Sequence, residues 1–291
     1  MGFIGLGVMG EPMCANLSAK SGHRVLCHDL NRAPMQRLAE GSAEAADSVE
    51  QLATEAQIVF LCLASANATQ SVVTRLCAAW KGGAGRLVVD MGTTSLATTR
   101  AIAAGLALDG HRFVDAPVAR MPAAAIDGSL SIMVGGAEAE FGLEPLLRCM
   151  GTDITHCGGV GSGQVVKILH NTVLFEAVNA LAEALAIARQ HGVEGAVLLD
   201  AIELGSADSR AARVQGREAL LPRAYPEGRF ATRYALKDVS LALELAELAG
   251  LEATLAKQTA ATLQRTVAAG FGDRYYPALY EVIADPAAPL P

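Results

Sequence analysis

Short, mainly apolar runs recur through the first half of the chain. They are Gly2-Phe3-Ile4, Arg24–His28, Gln57–Leu63, Arg86–Asp90 and Arg112–Val118. Runs of this length with no polar face suit strands buried on both sides of a parallel sheet. Between them, apolar residues return every three or four positions. Met9, Met13 and Leu17 begin the first such stretch. Ala33–Leu38 carries Pro34 in its first turn, where proline is tolerated. Ser48–Glu55 and Ser95–Asp109 also have helical spacing. Thr69–Trp80 gathers Val72, Val73, Leu76 and Trp80 on one side. Ser129–Val134 and Asp153-Ile154-Thr155 are later strand candidates. The alternation predicts an α/β fold, a doubly wound and mostly parallel sheet with helices on both faces.

The pattern changes at Gly158-Gly159-Val160-Gly161-Ser162-Gly163. Beyond it the spacing is helical throughout, which predicts an all-α second domain. The expected domains are 1–161 and 162–291. Gln164–His191 forms the first helix, with Ser162 as its N-cap and Gly192 as its stop. It is apolar nearly all round, so it is expected to be buried on all sides, between the domains or in a subunit interface. Glu194–Leu204, Ala211–Leu221, Tyr234–Ala249 and Leu251–Ala269 follow as helices. The Pro-rich tail, Asp285 to Pro291, is expected to be loose.

The length of 291 residues fits about two domains. A hydrophobic fraction of 52% argues against disorder. No uninterrupted apolar run of about 18 residues stands out, and no basic region opens the chain, so neither a membrane span nor a signal peptide is expected. The net charge of −7 comes with no basic cluster, which argues against nucleic acid and anionic membranes as partners. The six cysteines form no C-x-x-C pair and suit a reducing, cytoplasmic setting. The histidines make no metal-binding pair, so no metal is expected.

The first candidate chemistry is Gly5-Leu6-Gly7-Val8-Met9-Gly10, a G-x-G-x-x-G run between the first strand and the first helix. That context implies dinucleotide binding. Gly5 allows the tight turn, Gly7 the approach of a pyrophosphate, and Gly10 close packing of helix on strand. The phosphates would meet free N–H groups at the positive helix end. An acid is required about 20 positions on, at the end of the second strand. Asp29-Leu30 follows that strand, and Asp29 is placed to hold a ribose hydroxyl; the plainer reading is that it starts a turn with Asn31. Asp29 would repel a 2′-phosphate, which implies NAD. Arg32 nearby leaves NADP possible.

Three later loops lie beyond carboxyl ends of strands, where ligands bind in such sheets. Leu63-Ala64-Ser65 is one. Asp90-Met91-Gly92-Thr93 offers the Thr93 hydroxyl, either to the cofactor or to a turn or cap. Asp115-Ala116-Pro117-Val118-Ala119-Arg120 brings a cation to the same edge. On the long helix, Lys167 and Asn171 are spaced i,i+4 and share a face. A lysine on so apolar a helix needs either an ionic partner or a catalytic task. A desolvated lysine loses its proton more readily and can exchange it near neutral pH.

Taken together, Gly2–Leu17, Asp115–Val118, Gly128–Gly136, Gly161–Asn171 and Lys237-Asp238 resemble the β-hydroxyacid dehydrogenases, over nearly the whole chain. That family includes 3-hydroxyisobutyrate dehydrogenase and tartronate semialdehyde reductase. The resemblance implies an NAD(P)-binding domain, a helical second domain, and homodimers or homotetramers. The family's K-x-x-N-N motif falls on Lys167, the implied catalytic lysine, and on Asn171, which would contact substrate. The threonine of its D-x-S-T loop falls on Thr93. The lysine of its K-D pair, near cofactor and substrate, falls on Lys237.

The chain departs from the family at several positions. Ala64 stands where a proline is usual, Gly92 where the D-x-S-T serine is usual, and His170 at the first asparagine of K-x-x-N-N. His170 reads as a core residue or, second, as a substrate-facing group. The substrate loop, usually D-x-P-V-S-G-G, has Ala119, Arg120 and Met121 instead. A guanidinium can hold an oxyanion through two N–H bonds. The loop partly resembles that of sulfolactaldehyde reductases, whose substrate carries a sulfonate. Arg120 is otherwise a solvated loop residue or a subunit contact. The expected activity is hydride transfer between NAD(H) and a short anionic 3-hydroxy acid or its semialdehyde. Alternatives are a sulfolactaldehyde-type reductase and a catalytically silent dinucleotide-binding protein.

Overall fold

The short apolar runs fold as strands because helices cover both of their faces. The computed structural model describes residues 1–81, 83–137 and 142–284. Its first part runs β1 (Gly2–Ile4), α1 (Gly10–Lys20), β2 (Val25–His28), α2 (Arg32–Ala39), β3 (Ala43–Ala45), α3 (Val49–Glu55), β4 (Ile58–Leu61) and α4 (Ala66–Ala79). It continues with β5 (Leu87–Asp90), α5 (Leu96–Leu108), β6 (Arg112–Asp115), β7 (Val118–Ala119), α6 (Pro122–Asp127), β8 (Leu130–Gly135), α7 (Glu144–Leu147) and β9 (Gly151–Gly158). The sheet order is β3-β2-β1-β4-β5-β6-β8-β7, with β9 beside β8. Strands β1 to β6 pair in parallel. β8 is antiparallel to β6 and β7 and parallel to β9. This is the Rossmann-type doubly wound architecture.

Successive residues of a strand point to opposite faces. Phe3, Cys27, Phe60, Val89 and Val114 join one core with Met13 and Leu17 of α1. Ile4, Leu26, Leu61, Val88 and Phe113 join the other with Leu52, Leu76 and Trp80. Asn31, Ser48, Ser65 and Ser95 cap the helices that follow them, each side chain accepting a backbone N–H. Register pairs Ile4 with His28 and Leu61, Leu61 with Asp90, and Asp90 with Asp115. The residues just beyond these therefore share the carboxyl edge of the sheet.

Sequence periodicity misses β3, β7, α6 and α7. β3 is three residues long with a polar centre, too short to show a period. The expected strand 112–118 breaks at Pro117, which has no N–H to give; the chain re-enters the sheet as β7, antiparallel to β8. α6 has an alanine-rich sequence started by Pro122 and stopped by Gly128 at φ 69°.

The second part begins within α8 (Ser162–Gln190), in which the chain divides into compact units at 1–167 and 168–291. Then come α9 (Gly195–Leu204), a π-helix (Ala212–Leu220), α10 (Thr232–Leu248), α11 (Thr254–Thr266) and α12 (Leu279–Ala284). Phe175, Val178, Leu199, Val239, Leu263, Tyr276 and Leu279 form its core. In the single chain Val166, Leu169, Val173 and Ile187 of α8 are exposed. By length and composition α8 could cross a membrane, but 44% of its most apolar window is buried within the protein. The expectation for Asp285 to Pro291 lies outside the described residues.

Candidate active site

The glycine turn has the geometry that its residue types require. Gly5 has φ 96°, and a Cβ there would stand 2.4 Å from the Cys62 carbonyl oxygen. A Cβ on Gly10 would meet the Gly5 oxygen at 1.9 Å, so only glycine lets α1 start this close to β1. At Gly7 a Cβ would meet nothing within 4 Å. That open face is where a bound pyrophosphate would approach. No side chain caps α1 at Met9, which leaves its N-terminus to a ligand. Val8 and Leu30 are exposed beside the turn.

Asp29 links the turn to the end of β2. Its Oδ2 accepts the Leu6 N–H at 2.6 Å and its Oδ1 the Asn31 N–H at 2.8 Å. The turn role and the glycine-loop role are therefore both real. A carboxylate oxygen can accept further bonds, so a ribose hydroxyl fits beside these. The residues present match the dinucleotide-binding group that the spacing implied.

The exits of β4 and β5 touch. A Cβ on Gly92 would lie 3.0 Å from the Leu63 carbonyl oxygen and 3.2 Å from Asp90 Oδ1, which accepts the Gly92 N–H. This crowding suits glycine where the resemblance has serine. Leu63 is half-buried and Ala64 exposed. Ser95, not Thr93, caps α5. Thr93 is half-buried in the turn between Gly92 and Thr94. Gln164, fully buried on α8, holds that turn: its amide donates to the Gly92 oxygen at 2.8 Å and accepts the Thr94 N–H at 3.1 Å.

Asp115 holds the start of α8. Its carboxylate accepts the N–H groups of Gly161 at 2.6 Å and Gln164 at 2.9 Å. Cβ atoms on Gly135 and Gly163 would come within 2.8 Å of it, so glycines make its room. Burial pushes its carboxyl up, against the pull of these N–H donors. Lys167 lies one turn further along α8 and is 7% exposed.

Ala119 is buried on β7, opposite Ser131. Arg120 follows at φ 89°, a left-handed conformation that favours glycine, the residue usual in the resembled loop. Its guanidinium donates to the Ser129 oxygen, to Thr152 Oγ1 at 3.2 Å and to Asp153 Oδ2 at 2.7 Å. Hydrogen bonds from Thr152 and from Arg120 hold the Asp153 carboxyl below its usual range. Arg120 is thus tied to the β8–β9 side of its own unit.

In the helical unit, Asn171 is buried and donates to Asp238 Oδ2 at 2.7 Å. Lys237 Nζ lies 3.2 Å from Asp238 Oδ1. Asp238 therefore holds both residues that the resemblance singled out there. His170 is exposed, not a core residue, and its Nδ1 stands 3.2 Å from Asn171 Oδ1. Sequence reading missed Gln164, the bond between Asp238 and Asn171, and the capping role of Asp115. The signal for Gln164 was the one that flagged Lys167, a polar side chain on an apolar helix.

Comparison with known proteins matches residues 1–159 to the profile described as the NAD binding domain of 6-phosphogluconate dehydrogenase. Residues 161–283 match the one described as NAD-binding of NADP-dependent 3-hydroxyisobutyrate dehydrogenase. The chain is 35% identical to 2-(hydroxymethyl)glutarate dehydrogenase of Eubacterium barkeri, over 84% of its own length and 81% of that protein. It is also 35% identical to 3-hydroxyisobutyrate dehydrogenase of Pseudomonas aeruginosa, over 84% of each. The structure is similar to that of Mycobacterium tuberculosis 3-hydroxyisobutyrate dehydrogenase with L-serine. There the TM-score is 0.89 at 28% identity, over 97% of this chain and 98% of that one.

Proposed function

The chain belongs to the β-hydroxyacid dehydrogenase family of NAD(P)-dependent oxidoreductases, and on that premise we propose that it moves a hydride between NAD(H) and a short 3-hydroxy acid or its semialdehyde. The observation that carries this is a buried lysine, Lys167, one turn along a helix that Asp115 caps in the unit holding the glycine turn. The bound nicotinamide supplies or takes the hydride. Lys167, as ammonium, gives its proton to the substrate oxygen when the carbonyl is reduced. As amine it takes the proton from the hydroxyl in the reverse direction. Asn171, one turn further, holds the substrate through hydrogen bonds, oriented by Asp238. Lys237 is the cationic neighbour of cofactor and substrate that the family resemblance implies.

Ala119 and Arg120 border the acid end of the substrate in this reading. Three of the Arg120 hydrogen bonds already go to Ser129, Thr152 and Asp153 within its own unit. The protein is taken to be a cytoplasmic homodimer or homotetramer; the apolar stripe Val166, Leu169 and Val173, exposed in the single chain, supports assembly.

The test is a spectrophotometric screen of short hydroxy acids, sulfonates included, with NAD and NADP, repeated with Lys167→Ala. General acid–base work of this kind contributes about 10²–10⁴-fold. Lys167→Ala should lose that factor in kcat while NADH still binds by fluorescence. Turnover near that of the unsubstituted enzyme would remove Lys167 as the proton donor.

A further inference from the structure

The peptide groups on either side of Thr93 are both held by one carboxamide. The Gly92 carbonyl accepts from Gln164 Nε2 at 2.8 Å, and the Thr94 N–H donates to Gln164 Oε1 at 3.1 Å. Gln164 is itself fixed at its backbone, because its N–H donates to Asp115 Oδ2 at 2.9 Å. It is fully buried, and it sits three residues before Lys167 on α8. Two further bonds finish the turn. Asp90 Oδ1 accepts the Gly92 N–H at 3.0 Å, and the Thr94 and Thr99 hydroxyls are 3.0 Å apart. The loop after β5 and the first turn of α8 are thus one hydrogen-bonded piece.

We propose that Gln164 is a positioning residue: its carboxamide sets where Thr93 stands relative to Lys167, and so fixes the geometry for proton and hydride transfer. This rests on the reading of Lys167 as proton donor. A buried carboxamide is suited to the task. It donates and accepts at once, and it carries no charge to desolvate. Leucine at the same place fills similar space but leaves the Gly92 carbonyl and the Thr94 N–H without their partner. Glutamate keeps an acceptor for Thr94 but, while ionised, has no proton for Gly92. When protonated it has one again.

The test compares full-length Gln164→Leu and Gln164→Glu with the unsubstituted enzyme in kcat, KM and NADH affinity. A displacement on the order of 1 Å costs about 100-fold in rate, so Gln164→Leu should lower kcat about 10- to 100-fold and NADH affinity much less. The kcat of Gln164→Glu, as a ratio to that of the unsubstituted enzyme, should rise as pH falls from about 8 to about 6, since burial brings a carboxyl into that range. The Gln164→Leu ratio should stay flat with pH. A merely structural role would move stability without that recovery. If Gln164→Leu keeps kcat within about threefold, or if the Gln164→Glu ratio does not change with pH, the proposal fails. Should Gln164→Leu not fold, the pH ratio of Gln164→Glu decides alone. The Lys167→Ala assay keeps the two readings apart. An inactive Lys167→Ala with unaffected Gln164 variants sinks only the positioning role; an active Lys167→Ala sinks the reading beneath it.

Discussion

The carboxylate of Asp115 accepts the backbone N–H of Gln164 at 2.9 Å. The last residue of β6 thereby caps the helix that carries Lys167, and the Gly161 N–H adds a second bond at 2.6 Å. Removing the carboxylate strands both donors in a buried site, at a cost of about 1–3 kcal/mol each. Asp115→Ala should therefore lower unfolding stability by about 2–6 kcal/mol, read as a shift in the urea midpoint. A loss below about 0.5 kcal/mol, the level of an ordinary surface change, would show that the cap contributes nothing.

Asp29 has two tasks that one substitution can separate. Asparagine keeps an oxygen for the Leu6 N–H but gives up the bond from the Asn31 N–H and the charge facing the ribose. A hydrogen bond to a charged group is worth about 1.5–3 kcal/mol, so Asp29→Asn should raise KM for NADH roughly 10- to 100-fold. KM for NADPH should fall or hold, because the repulsion of a 2′-phosphate is gone. The native enzyme should prefer NADH. A clear native preference for NADPH would overturn that assignment.

Arg120 makes three hydrogen bonds within its own unit, to Ser129, Thr152 and Asp153. Arg120→Ala should lower the melting temperature by no more than a few degrees, since so exposed a pair adds little. KM for a carboxylate substrate should change by less than about threefold. A rise of tenfold or more, largest for sulfonates, would instead assign Arg120 to the substrate.

His111 is buried with its ring against Trp80, centroids 4.9 Å apart. Among the described residues its Nδ1 has no hydrogen-bond partner. Burial lowers its pKa first; Arg86 adds to that and Asp109 opposes it. A lowered histidine pKa means that the unfolded chain binds the proton more readily. Stability should therefore be full above about pH 6.5 and decline as pH falls below it. His111→Phe should flatten that decline in urea unfolding at several pH values. Parallel profiles for the two proteins would exclude His111 as the source.

The chain by itself determined what depends on local chemistry repeated along it. Short apolar runs need cover on both faces, so between helical stretches they read as inner strands. Gly5 and Gly10 admit conformations and contacts that no other residue tolerates, so the turn and Asp29 were legible before any coordinates. Lys167 stood out as a candidate because a cation on an apolar helix is costly without a purpose. Tertiary structure decided what depends on partners distant in sequence. Asp115 and Gln164 are 49 residues apart, and Gly92 and Gln164 are 72 apart. Asn171 meets Asp238 across 67 residues. His170, read as core, faces outward, and the Arg120 guanidinium meets Asp153 across 33 residues. Hydrogen bonds act over about 3 Å of space, whatever the spacing along the chain. Only the folded sheet and helices bring such groups within that reach.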